Sequence, residues 1–255
     1  YRIAYWAWEL PDPPNDWSGC ERNVAEVWTP SAFSKASLAK LIHRPIHVVP
    51  HHVPPQPARA RRLNAPFTVL AMADSRSSLS RKNPEGALRA FGVAFGKSSA
   101  ARLVLKLSGP VDSLQDFEHS VGDLARSGNV EIIKNHLDDH ALMALYRDTD
   151  VFLSLHRAEG FGLPMLEAMA HGVPVVATGW SGNRQFMNSM NSYLVPYRLV
   201  PVSDESQIYT GSIWAEPDVD AAAQALRQLA NHAEFHASLS AAAHRRVREL
   251  SLIHI

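Results

Sequence analysis

The stretch DVFLSLHRAEGFGLPMLEAMAHGVPVVATGWSGNRQFM, Asp150 to Met187, constrains the fold more than any other part of the chain. Asp150 to Leu155 is a short apolar run of the kind that is buried on both faces of a sheet. His156 to Gly162 is polar and punctuated by glycine. Pro164 suits the start of a helix, where its missing N–H would have no partner, and Gly172 follows the helix where a left-handed cap is wanted. Val173 to Thr178 resumes as a second buried strand. Strand, glycine loop, short helix and strand make a βαβ unit with parallel strands, whose loop lies at the carboxyl end of the sheet, where such folds bind ligands.

Within this unit Glu159 sits in the loop and Glu167 about one turn into the helix, and both are expected to face one pocket. The Gly160-Phe161-Gly162 backbone can approach a ligand closely because two of its residues lack a Cβ, and the helix start beyond it favours an anion. One reading puts phosphate at the loop and sugar hydroxyls on the carboxylates. In the other, Glu167 merely complements the helix dipole and Glu159 is a solvated loop residue. The residues taken alone leave both open.

The longer string EGFGLPMLEAMAHGVPVVAT resembles the E-x7-E signature of retaining glycosyltransferases of the GT-B fold, specifically family GT4. The resemblance implies an α/β chain of Rossmann-like parallel sheets with flanking helices. By position it also implies roles. Glu159 would lie by the transferred sugar as the catalytic residue, Glu167 would bind the ribose hydroxyls, and the backbone of Gly160, Phe161, Gly162 and Leu163 would meet the donor. The family places an arginine and, six residues later, a lysine on the donor diphosphate, and Arg76 and Lys82 have that spacing.

Composition fits an enzyme with a real core but does not choose one: 255 residues, 46% of them hydrophobic, allow one or two domains. The 25 basic and 25 acidic side chains cancel, which removes any global electrostatic argument for nucleic acid, so an anion must be held locally. A single cysteine, Cys20, excludes an internal disulfide and fits a reducing, cytoplasmic compartment. No apolar run approaches the roughly 20 residues that span a bilayer.

From the start, IAYWAWELP reads as an aromatic strand ended by prolines, Glu26 to Pro30 as a strand, Ser31 as the N-cap of a helix through Ile42, and Ile46 to Pro50 as a strand. These stretches resemble the closing third of the N-terminal GT-B domain. Residues 1–53 are therefore expected to be a remnant of the acceptor-side domain, mobile and with exposed apolar surface, and this chain alone is expected to be inactive in transfer. Trp6, Trp8, Trp17 and Trp28 are read as packing residues. The Pro-rich segment 54–65 is the expected linker, and residues 66–250 the nucleotide-sugar-binding domain.

That domain opens with the strand FTVLAMAD and a basic loop holding Arg76, Arg81 and Lys82, followed by a helix from near Pro84. These cations suit a diphosphate, although an ordinary solvated loop has the same composition. Strand Arg102 to Leu107, helix Asp112 to Arg126, strand Val130 to Lys134 and helix Asp138 to Arg147 continue the alternation. Weaker ligand candidates are Arg81, Lys106 (otherwise a snorkelling edge residue), Asn135 beside the base, and Thr178 and Gly179 bordering the phosphate. Later come strand Ser192 to Val195, a helix from Asp218 and a last helix Ala233 to Leu250, whose Arg245, Arg246 and Arg248 read as a solvated face. Any membrane contact is expected to be peripheral.

No metal role is assigned: Asp148-Thr149-Asp150 spells D-x-D but joins a helix to a strand, and the histidine pairs His136/His140 and His232/His236 read as surface residues. The expected reaction is transfer of a sugar from a nucleoside-diphosphate sugar, with retained configuration and no further cofactor, to a glycan, lipid-linked or small-molecule acceptor. Two alternatives stand beside it. One is another GT-B enzyme such as a nucleotide-sugar epimerase or a phosphorylase, the latter lacking here a recognisable pyridoxal-binding lysine. The other is a non-catalytic nucleotide-sugar-binding module.

Overall fold

The structure is a computed structural model that describes residues 1–58, 61, 65–124, 126–204 and 209–252. The first sheet is three-stranded and parallel, in the order β1 (Ile3–Tyr5), β2 (Glu26–Thr29), β3 (Ile46–Val48). Helix α1 (Ala32–Leu38) leaves β2 through Ser31, which is extended and accepts the Ser34 amide as an N-cap. The helix stops four residues short of the expected Ile42.

The second sheet is six-stranded and entirely parallel. Its strands in chain order are β4 (Phe67–Asp74), β5 (Ala101–Ser108), β6 (Val130–Ile133), β7 (Val151–Ser154), β8 (Val175–Thr178) and β9 (Tyr193–Val195), arranged in space as β6-β5-β4-β7-β8-β9. The connecting helices are α2 (Leu79–Lys82), α3 (Pro84–Phe95), α4 (Val111–Val121), α5 (Asp139–Arg147) and α6 (Leu163–Ala170). An antiparallel ribbon of β10 (Tyr197–Pro201) and β11 (Ile213–Pro217), absent from the sequence reading, precedes α7 (Val219–Asn231) and α8 (Ala233–Leu252).

Alternate residues of the central strands serve opposite faces, as strand geometry requires. Val69, Leu103, Val151 and Leu153 join one apolar cluster with α3, α4 and α7, while Leu70, Val104, Phe152 and Val175 join a second with α6 and α8. Burial on both faces explains why these strands read as continuous apolar runs. A third cluster joins the two sheets: Trp8, Leu10, Val27 and Leu38 pack with Ala158, Tyr209 and Trp214. Trp6 and Trp17 pack against the same cluster, in line with a packing role. Residues of 1–53 thus pack against the rest of the chain through this cluster, although Ile3 and Tyr5 are exposed. The described part of the Pro-rich segment lies against the second sheet's helices, with the Gln56 amide on Ala170 O at 2.9 Å.

Two sequence readings are corrected. β5 is an interior strand, so Lys106 is not at an edge: it is buried, and its ammonium turns up the strand to Leu107 O and Ser108 Oγ. His236 is not a surface residue but buried, with Nε2 on Asp150 O at 2.7 Å. Among the described residues no helix is long and apolar enough to cross a membrane, and no group of three or more His, Cys, Asp or Glu is arranged to hold a metal ion. Asp150 spends its carboxylate on the Thr68 amide at the amino ends of β7 and β4.

Candidate functional site

From β4 the chain builds outward through β5 and β6, then returns to the other side of β4 to form β7. The carboxyl ends of β4 and β7 therefore flank the switch point of the sheet, the place where crossovers diverge and leave a crevice. The segment after β4 carries Arg76, Arg81 and Lys82, and the segment after β7 carries Glu159. Among the described residues three non-glycine residues take positive φ, Ser78 (63°), Asn83 (51°) and Ser181 (77°), and all lie in segments that meet here. Asn83 illustrates how such a conformation is held: it caps α3 through the Gly86 amide and donates its own amide to Leu155 O at the end of β7.

Lys82 Nζ meets Glu159 Oε1 at 2.5 Å, and Arg81 Nη1 lies 3.6 Å from Oε2. Burial alone would raise the Glu159 pKa, but the charges of Lys82 and Arg81 outweigh it and hold the carboxyl down to about 2. Glu159 is thus ionised at neutral pH. His156, fully buried beside it, is pushed below the usual histidine value by burial and stands neutral, with Nδ1 at Ser154 Oγ and Nε2 at Trp180 O.

Arg81 is only 1% exposed, and its guanidinium is fully engaged. Nε donates to Tyr209 Oη, Nη1 to Ala158 O and Nη2 to Ser77 O, while Glu9 of the first sheet lies 3.6 Å from Nη2. With partners drawn from four separate segments, Arg81 acts as a fastening between them. The sequence had no signal for this, because Glu9 and Tyr209 are remote from it along the chain.

The loop Glu159–Gly162 is braced from two sides. Ser31 Oγ and Ser34 Oγ donate to Gly160 O at 2.6 and 3.2 Å, so the N-cap of α1 also holds the loop. On the other side Ser181 Oγ accepts the Glu159 amide and the Gly182 amide donates to Glu159 O, each at 2.8 Å. A Cβ on Gly182 would lie 2.1 Å from Gly160 O, so no larger residue fits without moving backbone. Gly162 takes φ +96°, and a Cβ there would strike the Met165 methyl. The amides of Gly160, Phe161 and Gly162 donate to no other group among the described residues. The Phe161 ring itself is core, packed on His51 and Phe186.

Glu167 lines a cavity of about 270 Å³ bordered by α5, α6 and the segment His52–Gln56. Leu163 and Glu167 both line this cavity, and Glu159 is not among its lining residues. Tyr146 donates its hydroxyl to Glu167 Oε2 at 2.7 Å, a partner the sequence did not reveal. Burial raises the Glu167 pKa, and the Tyr146 bond opposes that rise.

The remaining candidates are scattered. Arg76 is exposed and forks onto Asp74 at 3.0 and 2.6 Å, holding that carboxyl below its ordinary range and leaving Lys82 without it. Asn135 is exposed past the edge strand β6 and lies outside the Glu167 cavity. Thr178 is fully buried with its hydroxyl unpartnered among the described residues, and the Gly179 amide is spent on Val195 O.

Comparison with known proteins places this geometry in a family. The chain is 35% identical over 94 residues to the GtfA subunit of a UDP-N-acetylglucosamine–peptide N-acetylglucosaminyltransferase from Streptococcus pneumoniae serotype 4, a match covering 32% of this chain and 19% of that protein. It is 27% identical over 158 residues to a putative glycosyltransferase 48 of a Sulfolobus islandicus filamentous virus, covering 62% and 45%. The match thus spans less than half of either relative. Among solved structures, Anabaena Alr3699/HepE in complex with UDP and glucose superposes with a TM-score of 0.71 at 14% identity, over 97% of this chain and 66% of that one. The fold is that of GT-B glycosyltransferases, with a Rossmann-like parallel sheet between helices. The family model "Glycosyl transferases group 1" matches residues 75–246, and the chain belongs to that family.

Proposed function

We propose that this chain carries the donor site of a glycosyltransferase that takes a sugar from a nucleoside-diphosphate sugar and transfers it with retention, as in family GT4. The observation that carries the reading is the Lys82–Glu159 pair at the switch point, beside a glycine loop with free amides. A departing diphosphate needs cations and N–H donors. Lys82, Arg76 turned from Asp74, and the amides of Gly160 to Leu163 at the start of α6 supply them in place of a metal ion. Glu159, ionised and fixed by its neighbours, accepts hydrogen bonds from the sugar and faces the positive charge that grows as the bond from C1 to the diphosphate oxygen breaks. The acceptor oxygen bonds to C1 from the same face, and its proton leaves on the departing phosphate. Glu167, held by Tyr146, accepts the ribose hydroxyls in the cavity it lines.

In this reading residues 1–53 belong to the acceptor-side domain, 54–65 to the linker and 66–250 to the donor domain, and the protein works in the cytoplasm. UDP, bound by the Anabaena relative, is the first ligand to test. Calorimetry should show UDP binding that Glu167→Ala weakens by ~1–3 kcal/mol, the range for a hydrogen bond to a charged group. Unchanged affinity in a folded variant returns Glu167 to a helix-dipole role. Product formation from UDP-sugars, followed by mass spectrometry, separates a transferase from a binding module.

A further inference from the structure

A second cavity, of about 330 Å³, shares no lining residue with the Glu167 cavity. One wall is the start of α1, Ala32 and Phe33, just past the carboxyl end of β2. The other is the turn past the carboxyl end of β8, from Gly179 to Gln185. Crevices between the carboxyl ends of parallel strands are where these folds bind ligands. Two residues of this wall, Ser181 and Gly182, hold the Glu159 backbone directly, at 2.8 Å each.

The lining has a definite chemistry. Phe33, Trp180 and Tyr197 form a chain of rings, with centroids 5.2 Å and 6.4 Å apart, and Tyr197 is 39% exposed. Among the described residues no carboxylate borders the cavity. The Arg184 guanidinium is exposed and makes no hydrogen bond or ion pair among the described residues. Gln185 lines the cavity and accepts the Ala32 amide at 2.9 Å through Oε1, which holds its carboxamide in place. Aromatic faces beside planar donors suit a pyranose, which has apolar C–H faces and a rim of hydroxyl acceptors. A nucleoside diphosphate is the poorer match, since Lys82 and Arg76 lie outside the lining.

We propose that this cavity is the acceptor subsite and takes a saccharide, stacked on Trp180 and Tyr197 with its oxygens on Arg184 and Gln185. The proposal rests on the donor reading above, because Ser181 and Gly182 of the cavity wall are the residues that hold the Glu159 backbone.

The test is saturation-transfer NMR on the whole chain with UDP present, using methyl α-glucoside, methyl α-mannoside, methyl α-N-acetylglucosaminide and methyl β-glucuronide as probes. At least one should bind alongside UDP. Tyr197→Ala should weaken that binding by about fivefold or more while the UDP affinity stays within about twofold, the size expected of one aromatic contact. Arg184→Ala, at an exposed position that should not disturb folding, should weaken the glucuronide most. Failure of all four probes to bind, insensitivity of a bound probe to both variants, or displacement of the probe by UDP each overturns the acceptor assignment. Absence of UDP binding to the unaltered chain would instead overturn the donor reading.

Discussion

Removing the charge of Glu159 offers the sharpest test of the site. Its carboxyl is held at about 2 against an ordinary 4.5, because Lys82 and Arg81 outweigh the effect of burial. At about 1.4 kcal/mol per tenfold change in proton affinity, that contributes ~3 kcal/mol to folding at neutral pH. A depressed acid pKa gives stability that is fully present above the unfolded value and is lost as pH falls through the folded one. Glu159→Gln keeps the shape and removes the titration. Urea unfolding of both proteins between pH 7 and pH 3 should show the native chain more stable at pH 7, by a margin that is level to about pH 5 and then shrinks by ~2 kcal/mol at pH 3. Every other carboxyl is common to both proteins, so the difference isolates this one. A margin equal at pH 7 and pH 3 would show that Glu159 is not paired as described.

Arg81→Met strips the cation from Glu159 and Glu9 and the donors from Ala158 O and Ser77 O, and should destabilise the chain by ~3–5 kcal/mol in urea unfolding. Arg81→Lys should recover little, since an ammonium cannot present a fork; a loss under ~1 kcal/mol for Arg81→Met would contradict the fastening role. Lys82→Ala and Arg76→Ala should each weaken UDP binding far more than uridine binding in calorimetry, and equal losses for both ligands would indicate a disturbed fold instead of missing phosphate contacts. Gly182→Ala drives a Cβ toward Gly160 O and should cost ~1–3 kcal/mol in thermal or urea unfolding, with weaker UDP binding because the loop must move; unaltered stability would show that the loop is not braced there.

Much of the fold was legible because its signals are local. Continuous apolar strands report burial on both faces, Ser31 and Gly172 mark helix ends by their own chemistry, and the string from Glu159 to Thr178 carries the family resemblance within one βαβ unit. The six-stranded parallel sheet and its family are outcomes of that pattern. The β10–β11 ribbon was missed because β10 is a largely exposed strand without the apolar run that identified the others.

The partners of the charged side chains were not legible, for a physical reason. A basic loop reads the same whether its cations face solvent, phosphate or carboxylate, and only packing decides among them. Arg76 and Arg81 lie five positions apart, yet one forks onto Asp74 at the surface and the other is sealed among Glu9, Tyr209 and Glu159. The seven-residue spacing of Glu159 and Glu167 likewise did not determine whether they share a cavity. The sequence alone determined which residues and loops are candidates for the site. The tertiary structure decided which of them meet, because Lys82 and Glu159, Tyr146 and Glu167, and Ser31 and Gly160 are brought together only when the strands take their order and the two sheets close on one another.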